Sequence, residues 1–210
     1  MQQPKWRRRK DARPGDITAA ALKVFGEKGF AGARIEEIAR LAGISKGTLY
    51  LYFETKEDIF RAVVHEAVVP NIDAVEHTIF ALDLPFAAIL RLLLPRLAGI
   101  VDAAPVGAAI KMVVGESRNF PELAKVWHDE VVQKGVSLVA GLIARAQEKG
   151  EVRPGDPRLH AFSIAGPMLL GVLWRETFTP IGGAAVDLNL LARQHAEIVL
   201  AGLLVQGDRS

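Results

Sequence analysis

The chain has no cysteine among its 210 residues, which excludes disulfides, thiolate catalysis and cysteine-ligated metals and fits a cytosolic protein. Aromatic residues are scarce as well, at 7% against 50% hydrophobic residues overall. Apolar content carried largely by alanine and leucine favours helices over sheets, so the expected fold is all-α. Long hydrophobic runs are also missing. The longest, Ile164 to Trp174, contains Pro167 and falls short of the ~18 residues that a membrane span requires. The charged N-terminus is followed by no apolar stretch, so it reads as neither a secretory nor a twin-arginine signal. The expectation is a soluble, cytoplasmic protein with no membrane partner.

Catalytic machinery is not visible. There is no H-E-x-x-H, no G-x-x-x-x-G-K and no G-x-G-x-x-G, and no two of the histidines His65, His77, His128, His160 and His195 stand four apart. Asp73 and His77 are four apart beside Glu76, a spacing that reads as an ordinary surface contact rather than a metal site. No enzyme activity, metal or cofactor is expected.

What is present begins with an uneven charge. The net +2 divides into 12 Lys and Arg against 8 Asp and Glu in residues 1–60, and 14 against 16 in residues 61–210. The positive end is the end suited to nucleic acid. Residues 1–12, with Lys5, Arg7, Arg8, Arg9 and Lys10, read as a flexible basic arm able to follow phosphates or a minor groove.

The next stretch carries the function. Ile35, Ile38, Ala39 and Ala42 follow the spacing of one helical face, Gly43 can stop that helix in the left-handed conformation, and Ser45 can cap the next one. That second helix is about two turns long. Leu49 and Phe53, four apart, anchor its inner side. The residues Lys46, Gly47, Thr48, Tyr50 and Tyr52 are left at or near the outside, where hydroxyls can bond phosphates, rings and methyls can touch thymine, and lysine can neutralise charge. Thr55 caps a following helix with Asp58 three residues on.

With those residues in hand, the stretches A-A-L-K-V-F-G-E-K-G-F, I-E-E-I-A-R-L-A-G-I-S-K-G-T-L-Y-L-Y-F and K-E-D-I-F-R-A-V-V, within residues 17–64, resemble the DNA-binding domain of the tetracycline-repressor (TetR) family. One departure is Arg34, where members often carry Thr or Ser as a cap. The DNA-facing set is then Arg34, Ser45, Lys46, Gly47, Thr48, Tyr50, Tyr52 and Lys56. The resemblance gives Lys56, at a helix start with free N–H groups, the role of a phosphate ligand. It also implies a helix-turn-helix head over 13–60 and a ligand-binding and dimerisation body over 61–210.

The body is read from pattern. A fourth helix shared by head and body should bend at Pro70, and further helices are placed near 85–102, 106–117, 121–149, 157–178 and 187–205, about nine in all. Arg91, Met112, Glu116, Trp127, His128, Met168 and Trp174 are the candidate ligand-binding residues, large apolar walls with a few polar anchors. Residues 161–174 are apolar nearly all round, so that helix must be covered on every side, and Gly166 and Gly171 would admit a close neighbour. The resemblance implies that the last two helices, near 157–178 and 187–205, build a homodimer. The function expected is a ligand-responsive transcriptional repressor that leaves a palindromic double-stranded DNA operator when a small apolar effector binds. An activator of the same fold, or a helical carrier or enzyme whose head is only structural, is the alternative.

Overall fold

In a computed structural model, described over residues 14–81, 84–103 and 106–205, the chain folds into eleven α-helical segments. They are α1 Pro14–Gly32, α2 Ile35–Leu41, α3 Lys46–Tyr50, α4 Lys56–Ala67, α5 Val69–Ala81, α6 Phe86–Ala103, α7 Val106–Glu116, α8 Pro121–Trp127, α9 Gln133–Glu148, α10 Pro157–Thr177 and α11 Leu188–Leu203. Only Val68 separates α4 from α5, and α8 passes into α9 through a π turn, His128–Val132. The described residues therefore make nine rods, at the expected places. The basic arm expected over residues 1–12 lies outside the described residues.

Local chemistry sets the ends. The break at Val68 falls two residues before Pro70, which has no N–H to donate and whose ring crowds the preceding turn. Ser45 Oγ accepts from Thr48 N, Thr55 and Asp58 form a reciprocal capping box, and Asp156 and Asp187 accept from the first free N–H groups of α10 and α11. Gly43 (φ 74°) ends α2. Gly29 interrupts α1 at φ 70°, ψ 175°, a conformation that excludes side chains, so Phe30–Gly32 forms a separate last turn.

Three apolar clusters hold the rods. The first joins the inner faces of α1 to α4 with Met112 and Val113 of α7 and Leu123 and Trp127 of α8, so the head shares its core with part of the body. The second packs α6, α9, α10 and α11 together around Leu90, Ile143, Ile164 and Ala192. The third lies between α5, α6 and α9. An antiparallel bridge between Val152 and Leu204 ties the end of α11 to the turn after α9. Among the described residues no single helix is long and apolar enough to cross a membrane.

Candidate nucleic-acid interface

The α3 segment is oriented by one buried residue. Leu49 is fully buried (0% exposed) and Phe53 packs partly buried beside it. At about 100° per residue along a helix, that anchor turns Thr48 and Tyr50 to the flanks and Gly47 and Leu51 to the far side. Ser45 Oγ accepts from Thr48 N at 3.0 Å and lies 2.8 Å from Thr48 Oγ1, which fixes the threonine side chain. Tyr50 and Tyr52 are exposed, and they are the chain's only two tyrosines. Lys46 stands 5.7 Å from the centre of the Tyr50 ring and 2.6 Å from Glu36 Oε1. The hydrogen bond from Lys46 holds the Glu36 carboxyl below its ordinary value and raises the lysine in turn. Lys46 therefore meets a phosphate only by exchanging partners. Arg34 is exposed at the start of α2 and forms no side-chain cap there.

Gly43 to Gly47 also has the G-x-S-x-G spacing of a nucleophile elbow. Here it turns between two helices rather than from a strand into a helix, and Ser45 Oγ is committed to capping α3.

Lys56 is turned inward. Its Nζ donates to Phe30 O at 2.6 Å and to Ala33 O at 3.1 Å, and it stands 4.5 Å from the centre of the Phe30 ring. The lone turn Phe30–Gly32 is thus held by a cation at its carbonyl end. An anion holds its amide end, because Glu116 at the end of α7 accepts from Phe30 N at 2.9 Å and Ala31 N at 2.7 Å. The Phe30 ring, fully buried, contacts the rings of Phe25, Phe60 and Phe120. Head and body meet at this turn.

Next to the joint runs an apolar crevice. Its walls are Leu22 and Phe25 of α1, Val63 and Val64 of α4, Met112 of α7 and Trp127 of α8, and every lining residue is apolar. It is narrow, with room for about 10 Å³ between its walls.

Comparison with known proteins decides the family. Residues 17–63 match the bacterial regulatory proteins of the tetR family, and residues 85–188 match the tetracyclin repressor-like C-terminal domain. The HTH-type transcriptional regulator RutR of Escherichia coli O157:H7 is 30% identical over 165 residues, covering 70% of this chain and 68% of RutR. This chain belongs to the TetR family. The fatty acid metabolism regulator protein of Bacillus subtilis is 27% identical over 193 residues, covering 89% of this chain and 93% of that protein. In fold the chain also resembles the crystal structure of FadR from Bacillus subtilis in complex with stearoyl-CoA, with a TM-score of 0.76, 22% identity, and 90% and 99% of the two chains covered. This TetR-family member is a DNA-binding transcriptional regulator.

In the body of the TetR-family chain, the expected ligand residues separate. Met112 and Trp127 line the crevice, and Glu116 stands one helical turn beyond Met112, committed to the backbone of the head. The other four lie elsewhere. Arg91 is on the surface of α6, paired with Glu197 of α11 at 2.7 Å, because two exposed long side chains on neighbouring helices reach each other there. His128 is exposed beside Asp129 at 2.8 Å. Met168 packs partly buried in the second cluster, and Trp174 lies on the outer side of α10 with Nε1 donating to Ala184 O at 2.8 Å. Gly171 is not on an open face either: a Cβ there would stand 2.6 Å from Leu191 Cδ2 and 3.0 Å from Leu188 Cδ2 of the same chain. Gly166 has nothing within 4 Å. Sequence reasoning missed Leu51, which is 83% exposed. The phase that buries Leu49 was the available signal, since two residues further on is the opposite side of a helix.

Proposed function

We propose that the protein is a homodimeric repressor whose operator affinity falls when an apolar small molecule enters between α1 and α4 of the head and α7 and α8 of the body. The observation that carries this reading is the crevice itself, walled by head on one side and body on the other. Room for about 10 Å³ between its walls admits no more than a water-sized sphere. An effector must therefore part α7 and α8 from α1 and α4, and the first contact strained is the Glu116 clasp on Phe30 and Ala31. The effector shifts the equilibrium only by its preference for the parted state.

The same helix is anchored at its other side to the outer face of the body. Lys111 of α7 donates to Glu176 O at the end of α10 at 2.7 Å, and Arg175 beside it bonds Asp102 of α6. Asp102 in turn accepts from Asn189 of α11 at 2.9 Å. The exposed apolar side chains of α10, among them Leu159, Phe162 and Leu170, form the surface on which a second copy packs, together with the outer side of α11. A dimer presents two α3 segments to successive major-groove faces of a palindromic operator, about 34 to 36 Å apart for adjacent half-sites. A cytoplasmic location is part of the same proposal, since that is where a bacterial operator is met.

The test is a gel shift on the DNA upstream of the protein's own gene, repeated with long-chain acyl-CoA as first probe. The choice of probe follows from the fatty acid metabolism regulator similar to this chain and the stearoyl-CoA complex of similar fold. A retarded band that acyl-CoA abolishes is expected. A retarded band that neither acyl-CoA nor the free long-chain fatty acid alters overturns the effector part of the reading, and absence of any specific band overturns all of it.

A further inference from the structure

Leu51 is the most exposed large hydrophobic residue among those described, at 83%. It ends the α3 segment in the right-handed helical conformation (φ −74°, ψ −19°), so its side chain continues the helical wheel. Counting about 100° per residue from buried Leu49, Leu51 and Gly47 lie together on the line that points directly away from the core. Tyr50 and Thr48 flank that line.

Gly47 adds an independent constraint. It is not among the glycines with positive φ, and a Cβ added to it would come no nearer than 3.9 Å to any atom, Ser45 Oγ. Neither backbone conformation nor packing within the chain calls for glycine here. What its missing side chain does is leave a flat place one turn from Leu51, so that the leucine projects past its neighbours and α3 can approach another surface closely.

An exposed isobutyl group on that line gains nothing in water. Against the major groove of DNA it finds one apolar feature, the C5 methyl of thymine, since the other base edges there offer hydrogen-bond donors and acceptors. Resting on the regulator reading above, we infer that Leu51 is a specificity-determining residue that packs on a thymine methyl. One A·T pair in each half-site is thereby read through apolar contact, not hydrogen bonding. Thr48 and the two tyrosines then supply the polar contacts on either side of it.

The test uses the full-length protein and a random duplex library, from which the wild type and Leu51→Ala each select their preferred sequences. Both proteins should melt at the same temperature, because the side chain is exposed. The wild type should enrich a palindrome with a fixed thymine in each half-site, and Leu51→Ala should lose the preference at that one position while keeping the others. Replacing that thymine with deoxyuridine, which removes only the methyl, should weaken the wild type roughly fourfold, the value of burying one such carbon, and leave Leu51→Ala unaffected. Identical selected sequences for the two proteins overturn the assignment, as does an equal loss on deoxyuridine substitution. An earlier melt of Leu51→Ala overturns it also, by showing the leucine to be packed inside the chain. If the wild type enriches no sequence at all, the failure is that of the DNA-binding reading itself.

Discussion

Glu116 and Phe30 stand 86 positions apart in the chain, yet the carboxylate of the first accepts the backbone N–H of the second at 2.9 Å. The bond closes the amide end of an isolated helical turn whose carbonyl end is held by Lys56. A three-residue turn has no cooperativity of its own. Its geometry depends on these two side chains and on the ring of Phe30, so the place where the head is set against the body is defined by one anion, one cation and one aromatic ring with three ring neighbours.

Removing the anion tests this directly. Glu116→Ala leaves the buried Phe30 N–H without its partner, and hydrogen bonds to charged groups contribute about 1.5 to 3 kcal/mol. Urea unfolding should show a loss in that range, with the sequence preference of DNA binding unchanged because no residue of α3 is touched. A variant as stable as the wild type would mean that water replaces the carboxylate at no cost.

Gly29 and Gly43 share a positive φ, but Gly29, at ψ 175°, also sits where side chains are excluded. Gly43→Ala places a Cβ in open space at φ 74°, so its cost is the left-handed penalty of about 1 to 2 kcal/mol. Gly29→Ala adds both that backbone strain and a collision with the Glu116 carboxylate, and should cost measurably more. In the background of Glu116→Ala the excess should shrink by the part that the collision contributes, while the backbone strain remains. An equal loss for Gly29→Ala with and without Glu116 would remove the carboxylate from the neighbourhood of Gly29.

Lys56 gives a prediction opposite to the one that its place after a helix cap suggests. With Nζ bonded to Phe30 O and Ala33 O, Lys56→Met should destabilise the head. It should leave the salt dependence of DNA binding unchanged, where a lost phosphate contact would lower the slope by about one unit. A slope reduced by that amount, with stability unaltered, would return Lys56 to the phosphate role.

The small residues of α10 separate folding from association. Gly171→Leu forces a side chain against Leu188 and Leu191 of its own chain, so it should lower the melting temperature, as overpacking costs about 1 to 3 kcal/mol. Gly166→Leu meets nothing in its own chain and should leave the fold intact while shifting sedimentation at micromolar concentration toward monomer. If Gly171→Leu dissociates the dimer without lowering the melt, the proposed surface lies on the wrong side of α10.

Much of this was legible because it is local. Ser45, and Thr55 with Asp58, cap the helices that their spacing announces, and Gly43 takes a positive φ where α2 ends. Ile38 and Ala39 are buried as their period requires. Arg91, Glu116 and His128 look alike in the sequence, each a polar residue in an apolar helix. Their fates are decided by partners that no local pattern names: Glu197, the backbone of Phe30 and Ala31, and surface Asp129. The joint between head and body is long-range in the same way, and so the shared core of α1, α4, α7 and α8 was not foreseen.

Orientation of α3 is the remaining point, and two substitutions decide it. Leu49→Ala removes a side chain that is 0% exposed and should cost about 2 to 5 kcal/mol of folding free energy. Tyr50→Ala removes one that is 43% exposed, and surface changes usually move stability by less than about 0.5 kcal/mol. Its effect belongs to binding, where a lost base-edge contact costs roughly 1 to 3 kcal/mol for the specific duplex and less for a random one. Thermal melts and titrations on both variants separate architecture from recognition. An early melt for Tyr50→Ala with a normal one for Leu49→Ala would mean that α3 is rotated by about 100°, one residue's step along the helix. Normal melts and unaltered DNA affinity for both would leave the head with no part in recognition.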